Sequence, residues 1–498
     1  MSTATELSRP ATPPPAATPG GSGRWWSLVV LAMAQLMVVL DATIVNIALP
    51  SAQQDLGFST ADRQWVVTGY ALAFGSLLLL GGRLSDFFGR KRMFLIGLTG
   101  FALASALGGA ANGLEMLIFA RALQGAFGAA LAPAALSLLS TTFTDPADRG
   151  KAFGIFGAIS GAGGAVGLLL GGVLTEYLSW RWCLYVNLLF AVVAFIGATR
   201  KLQDEKIANR DRIDIPGAIT AIAGLVGLVF GLGKAETDGW SAPITLIPMI
   251  GGLVVLIAFV LIEMRVPHPL LPLRVVLDRN RGGSYISIGV AGAGMFGVFL
   301  FLTYYLVAFL GFSPIQTGLA FLPMLAAIML SATTLGALLT PKIGPRPLVP
   351  AGGLIAAAGM AYMTRLDLDS SYASGVLPGL MIMGLGMGLI FAPTQNAATS
   401  GVDHHDAGVA SAMINTVQQI GGSIGTALLS SFAASAATNY MVGKAPTALV
   451  QAQAQLASYH TVFWWSVGFF LVVALVSAVT FRSGPLDIDP DAPKAMAH

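Results

Sequence analysis

Charged side chains are scarce in this chain of 498 residues: Asp, Glu, Lys and Arg together make up 10% of it, where an ordinary soluble domain carries about 25%. That scarcity excludes a large water-soluble enzyme. A formal charge of only +3 provides no broad basic surface for nucleic acid. Cysteine is nearly absent, and the single Cys183 excludes an intramolecular disulfide and any cysteine-based metal site. The five histidines are scattered, and their one tight group, Asp403-His404-His405-Asp406, precedes an apolar run. Helix capping and solvation account for it there. No Gly-x-x-x-x-Gly-Lys-Ser/Thr loop is present to cradle ATP phosphates. No nucleophile, base and orienting group fall together on the apolar runs. Neither an enzyme, a cofactor nor a metal centre is expected.

What fills the chain instead is apolar: hydrophobic residues make up 55% of it, and mean hydropathy is +0.75. A membrane-spanning helix uses about 20 apolar residues, so fourteen spans would take about 280. Runs between charged breaks place these spans near 26–49, 65–82, 93–111, 114–141, 152–174, 183–199, 215–233, 243–262, 284–310, 317–340, 348–364, 375–399, 408–433 and 461–481. Sixty glycines suit such a bundle, because small residues let membrane helices approach closely. Residues 1–24, rich in Ala, Pro and Thr, read as a disordered tail.

Cytoplasmic loops retain Lys and Arg. With both termini inside, 21 of the 27 basic residues fall on inner loops and tails and 5 on outer loops, leaving Arg121 within a span. A multi-pass protein of the cytoplasmic membrane with both termini cytosolic is expected. The basic balance then needs no nucleic-acid partner. A repeat supports two halves: Gly150, Gly163, Gly164 and Gly167 recur as Gly408, Gly421, Gly422 and Gly425, and Asp148 recurs as Asp406, all at one offset of 258 residues. The expected organisation is a six-helix bundle over 25–200, linkers with two inserted helices over 201–282, a second six-helix bundle over 283–482 and a cytosolic tail over 483–498. Two related halves around a central site is a transporter architecture.

Ionisable groups at membrane depth cost at least about 2.5–3.5 kcal/mol each and mark function by default. Two sit well inside spans, Asp41 in the first and Arg121 in the fourth. Counting about 1.5 Å per residue from the outer ends near Leu49 and Leu114 puts them about 12 and 10 Å deep. A pair between them is expected, either a switchable carboxylate with its counter-ion or a permanent structural ion pair. Between spans 2 and 3 the chain reads Gly82-Arg-Leu-Ser-Asp86-Phe-Phe-Gly89-Arg90-Lys91-Arg92. Gly89 permits a tight turn, Asp86 suits a helix N-terminus, and the cations hold the loop inside.

That loop resembles the signature between spans 2 and 3 of the major facilitator superfamily. Arg121-Ala-Leu-Gln124-Gly125 resembles its span 4 signature, and Gly154, Gly163, Gly167, Gly171 and Gly172 resemble the span 5 signature of its antiporters. The run from Leu40 and Asp41 through Thr43 and Asn46 to Pro50 is similar to span 1 of its fourteen-span drug/proton antiporter branch. The resemblance covers nearly all of 25–482. It implies an all-α major facilitator fold that works by alternating access coupled to proton entry, with Asp41 as proton acceptor and Arg121 as its partner. Asp86 and Arg90 would gate the cytosolic side against the start of span 13. Gly163 and Gly167 would let span 5 press against a helix of the other half. One position departs from the pattern: Leu168 stands where the antiporter ladder has proline, so the usual kink is not expected.

A binding cavity is expected to draw on Tyr70, Tyr304, Asn415, Gln418 and Gln419, the last three sharing one helical face. The expected activity is proton-driven export of small amphipathic, drug-like or antibiotic compounds, powered by the proton gradient without any obligate protein partner. The alternatives are a dedicated exporter of one endogenous metabolite, a proton symporter for uptake, and a non-transporting receptor on the same fold.

Overall fold

The computed structural model describes residues 21–59, 62–143, 145–202, 214–267, 269–402 and 407–484, which leaves most of both expected tails and the Asp403–Asp406 loop outside the described residues. In lipid every backbone polar group must be satisfied within its own segment, and the apolar runs form helices accordingly. The first half comprises α1 (Gly21–Leu56), α2 (Arg63–Phe88), α3 (Arg90–Gly109), α4 (Leu114–Thr142), α5 (Pro146–Tyr177) and α6 (Trp182–Lys201). A hairpin of α7 (Ile215–Asp238) and α8 (Pro243–Glu263) follows, then the single turn α9 (Leu273–Val276). The second half comprises α10 (Arg279–Ala308), α11 (Pro314–Ser331), α12 (Ala337–Ile343), α13 (Pro345–Met363), α14 (Leu377–Thr399), α15 (Ala407–Met441) and α16 (Ala448–Thr480). A π-helical turn, Ala332–Gly336, carries α11 into α12, and another, Tyr372–Val376, leads into α14.

All fourteen expected spans fall on helix, but the count of crossing helices differs. Among the described residues twelve helical segments are long and apolar enough to cross a membrane. The expected spans 152–174 and 348–364, on α5 and α13, are not among them. For α13 the reason lies in its opening turns, where Pro345, Arg346, Pro347 and Pro350 dilute a helix of only 19 residues. Several side chains of α5, Gly154 among them, lie outside the described residues.

Polar residues early in the chain turn inward onto their own helix: Thr43 Oγ1 donates to Leu40 O at 3.0 Å and Asn46 Nδ2 to Ala42 O at 3.3 Å. Gly89 makes the expected turn with φ of +99°, ending α2 and opening α3.

The halves repeat their packing. In the first, α5 lies along α1, where a Cβ on Gly167 would come within 2.9 Å of Leu40 O and one on Gly171 within 3.0 Å of Ile44 O. In the second, α15 lies along α10, where a Cβ on Gly425 would meet Ala293 Cβ at 2.5 Å. The repeated glycines thus serve the same contact twice. This corrects the expectation for Gly163 and Gly167, because their face, with Gly171, packs on α1 of the same half. Residues four apart share a helix face, and the face turned to the other half is that of Leu168 and Gly172. A Cβ on Gly172 would stand 2.7 Å from Ile315 Cα of α11, and Leu168 O faces Gly318 of the same helix. The symmetry-related crossing joins α2 to α15, where a Cβ on Gly75 would meet Gln419 Cβ at 3.1 Å.

The start of α1 and the end of α16 lie at one end of the described molecule. Arg24 pairs with Asp148 at 2.7 Å, Arg482 N donates to Asn280 Oδ1 at 2.9 Å, and Arg83 Nη2 donates to Pro269 O at 2.8 Å. At the opposite, far end one apolar cluster joins the halves, with Ile44, Ile47 and Leu49 beside Phe299, Tyr304 and Phe321. Toward the terminal end the first half keeps its own cluster around Met37, Phe94 and Leu138. The second half keeps a separate one around Tyr285, Ile288, Ala398 and Ile414.

The α5–α11 crossing has no space for a side chain at Gly172. Gly172→Val should lower stability by about 1–3 kcal/mol, the scale of overpacking. Gly251→Val, where a Cβ would meet nothing within 4 Å, should leave it unchanged. Thermal melting of the two purified variants checks the contrast.

Candidate functional site

Asp41 and Arg121 meet directly. Arg121 Nη1 donates to Asp41 Oδ2 at 2.5 Å, and both side chains are within 2% of complete burial. Moving such ions out of water costs several kcal/mol each, which their attraction offsets only if the remaining lone pairs and protons are also satisfied. Four helices, α2, α3, α4 and α6, supply the partners. Gln124, one turn after Arg121 on α4, accepts from Arg121 Nη1 at 2.9 Å and donates to Asp41 Oδ1 at 2.8 Å. Asn187 of α6 donates to the same Oδ1 at 2.7 Å. Ser105 Oγ of α3 accepts from Gln124 Nε2 at 2.7 Å and from Asn187 Nδ2 at 3.3 Å. From α2, Val66 O accepts from Arg121 Nε at 3.3 Å, and the Tyr70 ring lies 4.4 Å from the Arg121 guanidinium.

Local packing makes this convergence feasible. A Cβ on Gly125 would run into the backbone of α2, lying 2.9 Å from Phe74 N. Its absence brings α4 close enough for Arg121 to reach Val66 O and the Tyr70 ring. Asp41 thus accepts three hydrogen bonds from three residues, all donors. Two polar atoms at the site have no partner: Asn187 Oδ1 and Tyr70 OH.

The expected cavity residues divide. Tyr70 belongs to the charge network. Tyr304 belongs to a latch at the far end, where its hydroxyl donates to Gln53 Oε1 of α1 at 2.6 Å and its ring lies 4.0 Å from the Arg63 guanidinium of α2. Arg63 also lies over Phe301 at 5.1 Å and is only 5% exposed. On α15, Asn415 is exposed while Gln418 and Gln419 are half-buried, with Gln419 on the crossing with α2. The expected gate contact falls outside the described residues, which leave out the Asp86 side chain and the loop 403–406 that leads into α15. Gly82 sits on α2 one residue after Gly81, whose face packs against α4 at Ala129 and Ala130.

Sequence reasoning missed Ser105, Asn187 and Arg63, and placed Gln124 in a conformational motif when it bonds Asp41. A signal existed for Asn187, the only carboxamide in the apolar run 183–199. Screening that run for ionisable groups alone passed over it.

The network's energetics can be tested. Arg121→Ala should cost about 3–5 kcal/mol by stranding a buried carboxylate. Asn187→Ala should cost about 1.5–3 kcal/mol as a hydrogen bond to a charged group, and distinctly less in an Asp41→Asn background. Melting of the purified variants in lipid closes that double-mutant cycle.

The profile of the Major Facilitator Superfamily matches residues 31–426. The chain is 48% identical over 464 residues to the puromycin resistance protein pur8 of Streptomyces alboniger, covering 92% of each chain. It is 40% identical over 406 residues to the cephamycin export protein CmcT of Amycolatopsis lactamdurans, covering 81% of this chain and 84% of that one. Among solved structures it resembles a bacterial homologue of the human lysosomal transporter Spinster in an inward-facing, occupied conformation. That likeness has a TM-score of 0.67 at 14% identity, covers 93% of this chain and 98% of the other, and concerns the fold alone.

Proposed function

The chain belongs to the Major Facilitator Superfamily, and from that premise we propose that it exports small amphipathic, drug-like or antibiotic compounds across the cytoplasmic membrane in exchange for protons. The observation that carries the coupling is the buried Asp41–Arg121 pair inside a shell of donors. The observation that supports the substrate class is the relatives' named activities, puromycin resistance and cephamycin export. Those names each specify one compound, which favours a dedicated exporter as the second reading.

The membrane topology follows the same reading. Counting α5 and α13 with the twelve apolar segments makes fourteen crossings: α5 is 32 residues long, and α13 packs against α14 and α16 at Gly352, Gly359 and Gly353. Either even count puts both termini on one side, and the basic residues assign that side to the cytosol. The far end then faces outward and is closed in this structure.

In the proposed cycle a proton reaches Asp41 and turns an acceptor surrounded by donors into a hydroxyl that must donate. The charge-assisted bond from Arg121 weakens. Arg121 loses its counter-charge, and the unpartnered Asn187 Oδ1 can take the new O–H once its amide turns. The attachment of α1 to α4 and α6 weakens as a result. Twelve residues further along α1, about 18 Å at helical rise, Gln53 holds Tyr304 of the other half. Protonation at one point of α1 can therefore be felt at the outer latch through the same helix. Each proton crossing 100 mV supplies about 2.3 kcal/mol. With one acid in the network, one proton per cycle is the expected count.

In a pump-deficient bacterial host the wild-type chain should raise tolerance to a subset of amphipathic antibiotics, and Asp41→Asn should abolish that gain at equal membrane abundance. A variant that still pumps against a gradient would refute proton coupling at Asp41. Tyr304→Phe, which removes the bond to Gln53, should favour the outward-open state, seen as faster labelling of a single cysteine placed at position 49 from the outside.

A further inference from the structure

The foot of the inserted hairpin holds two more buried acids that the transport cycle does not use. Asp214 precedes α7 and Glu263 ends α8, and they are 5% and 4% exposed. Each spends one oxygen on local structure. Asp214 Oδ1 accepts from Gly217 N at 2.9 Å, capping α7. Glu263 Oε2 accepts from Leu271 N at 2.9 Å, folding the segment after α8 back onto it. The other oxygens, Asp214 Oδ2 and Glu263 Oε1, have no partner. They converge: a Cβ added to Gly217 would touch both.

Capping and loop closure account for one oxygen of each acid and leave the facing pair unexplained. Among the described residues no cation is paired with either acid. Arg83, reaching over from α2, donates to Pro269 O. Arg281 of α10 donates to Val275 O and Gly401 O, while Arg265 and Arg274 follow Glu263 in the chain without bonding either acid among the described residues. The charged groups described on α7, Lys234 and Asp238, lie at its opposite end, and α8 carries no second ionisable group. On α15, which packs beside α7, the one ionisable side chain is Tyr440 near its far end. Two carboxylates facing each other out of water cannot both carry charge at reasonable cost. A single proton between them removes one charge, provides a donor for the other oxygen, and satisfies both orphan atoms at once.

We infer that Asp214 and Glu263 form a second proton-binding site, a carboxyl pair that shares one proton at the terminal end of the α7–α8 hairpin. The pair joins the start of α7 to the end of α8 and to the segment that leads into the second half. Losing the proton would place two charges over Gly217 and push the hairpin's foot apart. The site is separate from Asp41, and its existence does not depend on proton-coupled export.

Infrared spectroscopy of the purified full-length protein in lipid at pH 7 tests this through the stretch of a protonated carboxyl. Asp41→Asn serves as the parent in every sample, so the coupling acid does not contribute. The expected result is a protonated-carboxyl band in the parent that disappears in both Glu263→Gln and Asp214→Asn. Glu263→Gln supplies an amide donor where the shared proton sat and should preserve the fold, which size-exclusion chromatography checks in each sample. Absence of the band from the parent, or its persistence in either variant, overturns the assignment.

Discussion

One negative charge kept out of water is the constraint around which the first half is arranged. Asp41 is fully buried, and an uncompensated carboxylate there would cost several kcal/mol, a large share of a domain's usual margin of stability. Its compensation is distributed: α4 contributes Arg121 and Gln124, α6 contributes Asn187, and α3 holds the two amides through Ser105. α2 adds a ring face and a carbonyl. Because the partners come from separate helices, any change in the charge of Asp41 is a change in how those helices are held together. That property would suit the proposed cycle, in which the protein alternates between two packings.

Glycine provides the second ingredient. Lipid supplies no hydrophobic drive between helices, so close backbone approach and polar contacts must hold them. The same glycine face joins α5 to α1 and α15 to α10, and the crossings between halves, α5 with α11 and α2 with α15, are also partners under the repeat. Each half is tightly built, and the contacts between halves are concentrated along these two crossings and the far-end cluster. Rigid halves meeting along a few narrow seams can rock. The added hairpin sits outside this symmetry, against α2 and α15, with Trp65 of α2 packed into the space left by Gly233 of α7.

Much of this is legible in the sequence. Charges are so rare in the apolar runs that Asp41 and Arg121 stand out, and helical rise from the span ends put them at one depth. Neutral polar groups are harder: a serine or carboxamide in a membrane helix more often serves as ordinary interhelical glue, so Ser105 carries no distinctive mark and Asn187 only that of being the lone carboxamide in its run. Arg63 sits at a span boundary, where a cation usually reaches water, and only the fold reveals that it is enclosed under Tyr304. The glycine ladder reads in sequence as a packing surface, but the helix it packs on is α1 of the same half, not one of the other half. Spacing says which residues share a face, and only tertiary structure says what that face meets. Asp214 and Glu263 look in sequence like acids flanking a loop, and their burial depends on how the hairpin folds back.

The proposed function depends most on Asp41 carrying the proton that drives export. It is tested most directly in proteoliposomes loaded with a transported antibiotic and a pH-sensitive dye, with no pH gradient at the start. Antibiotic flowing down its gradient through the wild-type chain should move protons the other way, and Asp41→Asn should still exchange antibiotic while leaving the internal pH flat. Proton movement of wild-type size through Asp41→Asn would contradict the account.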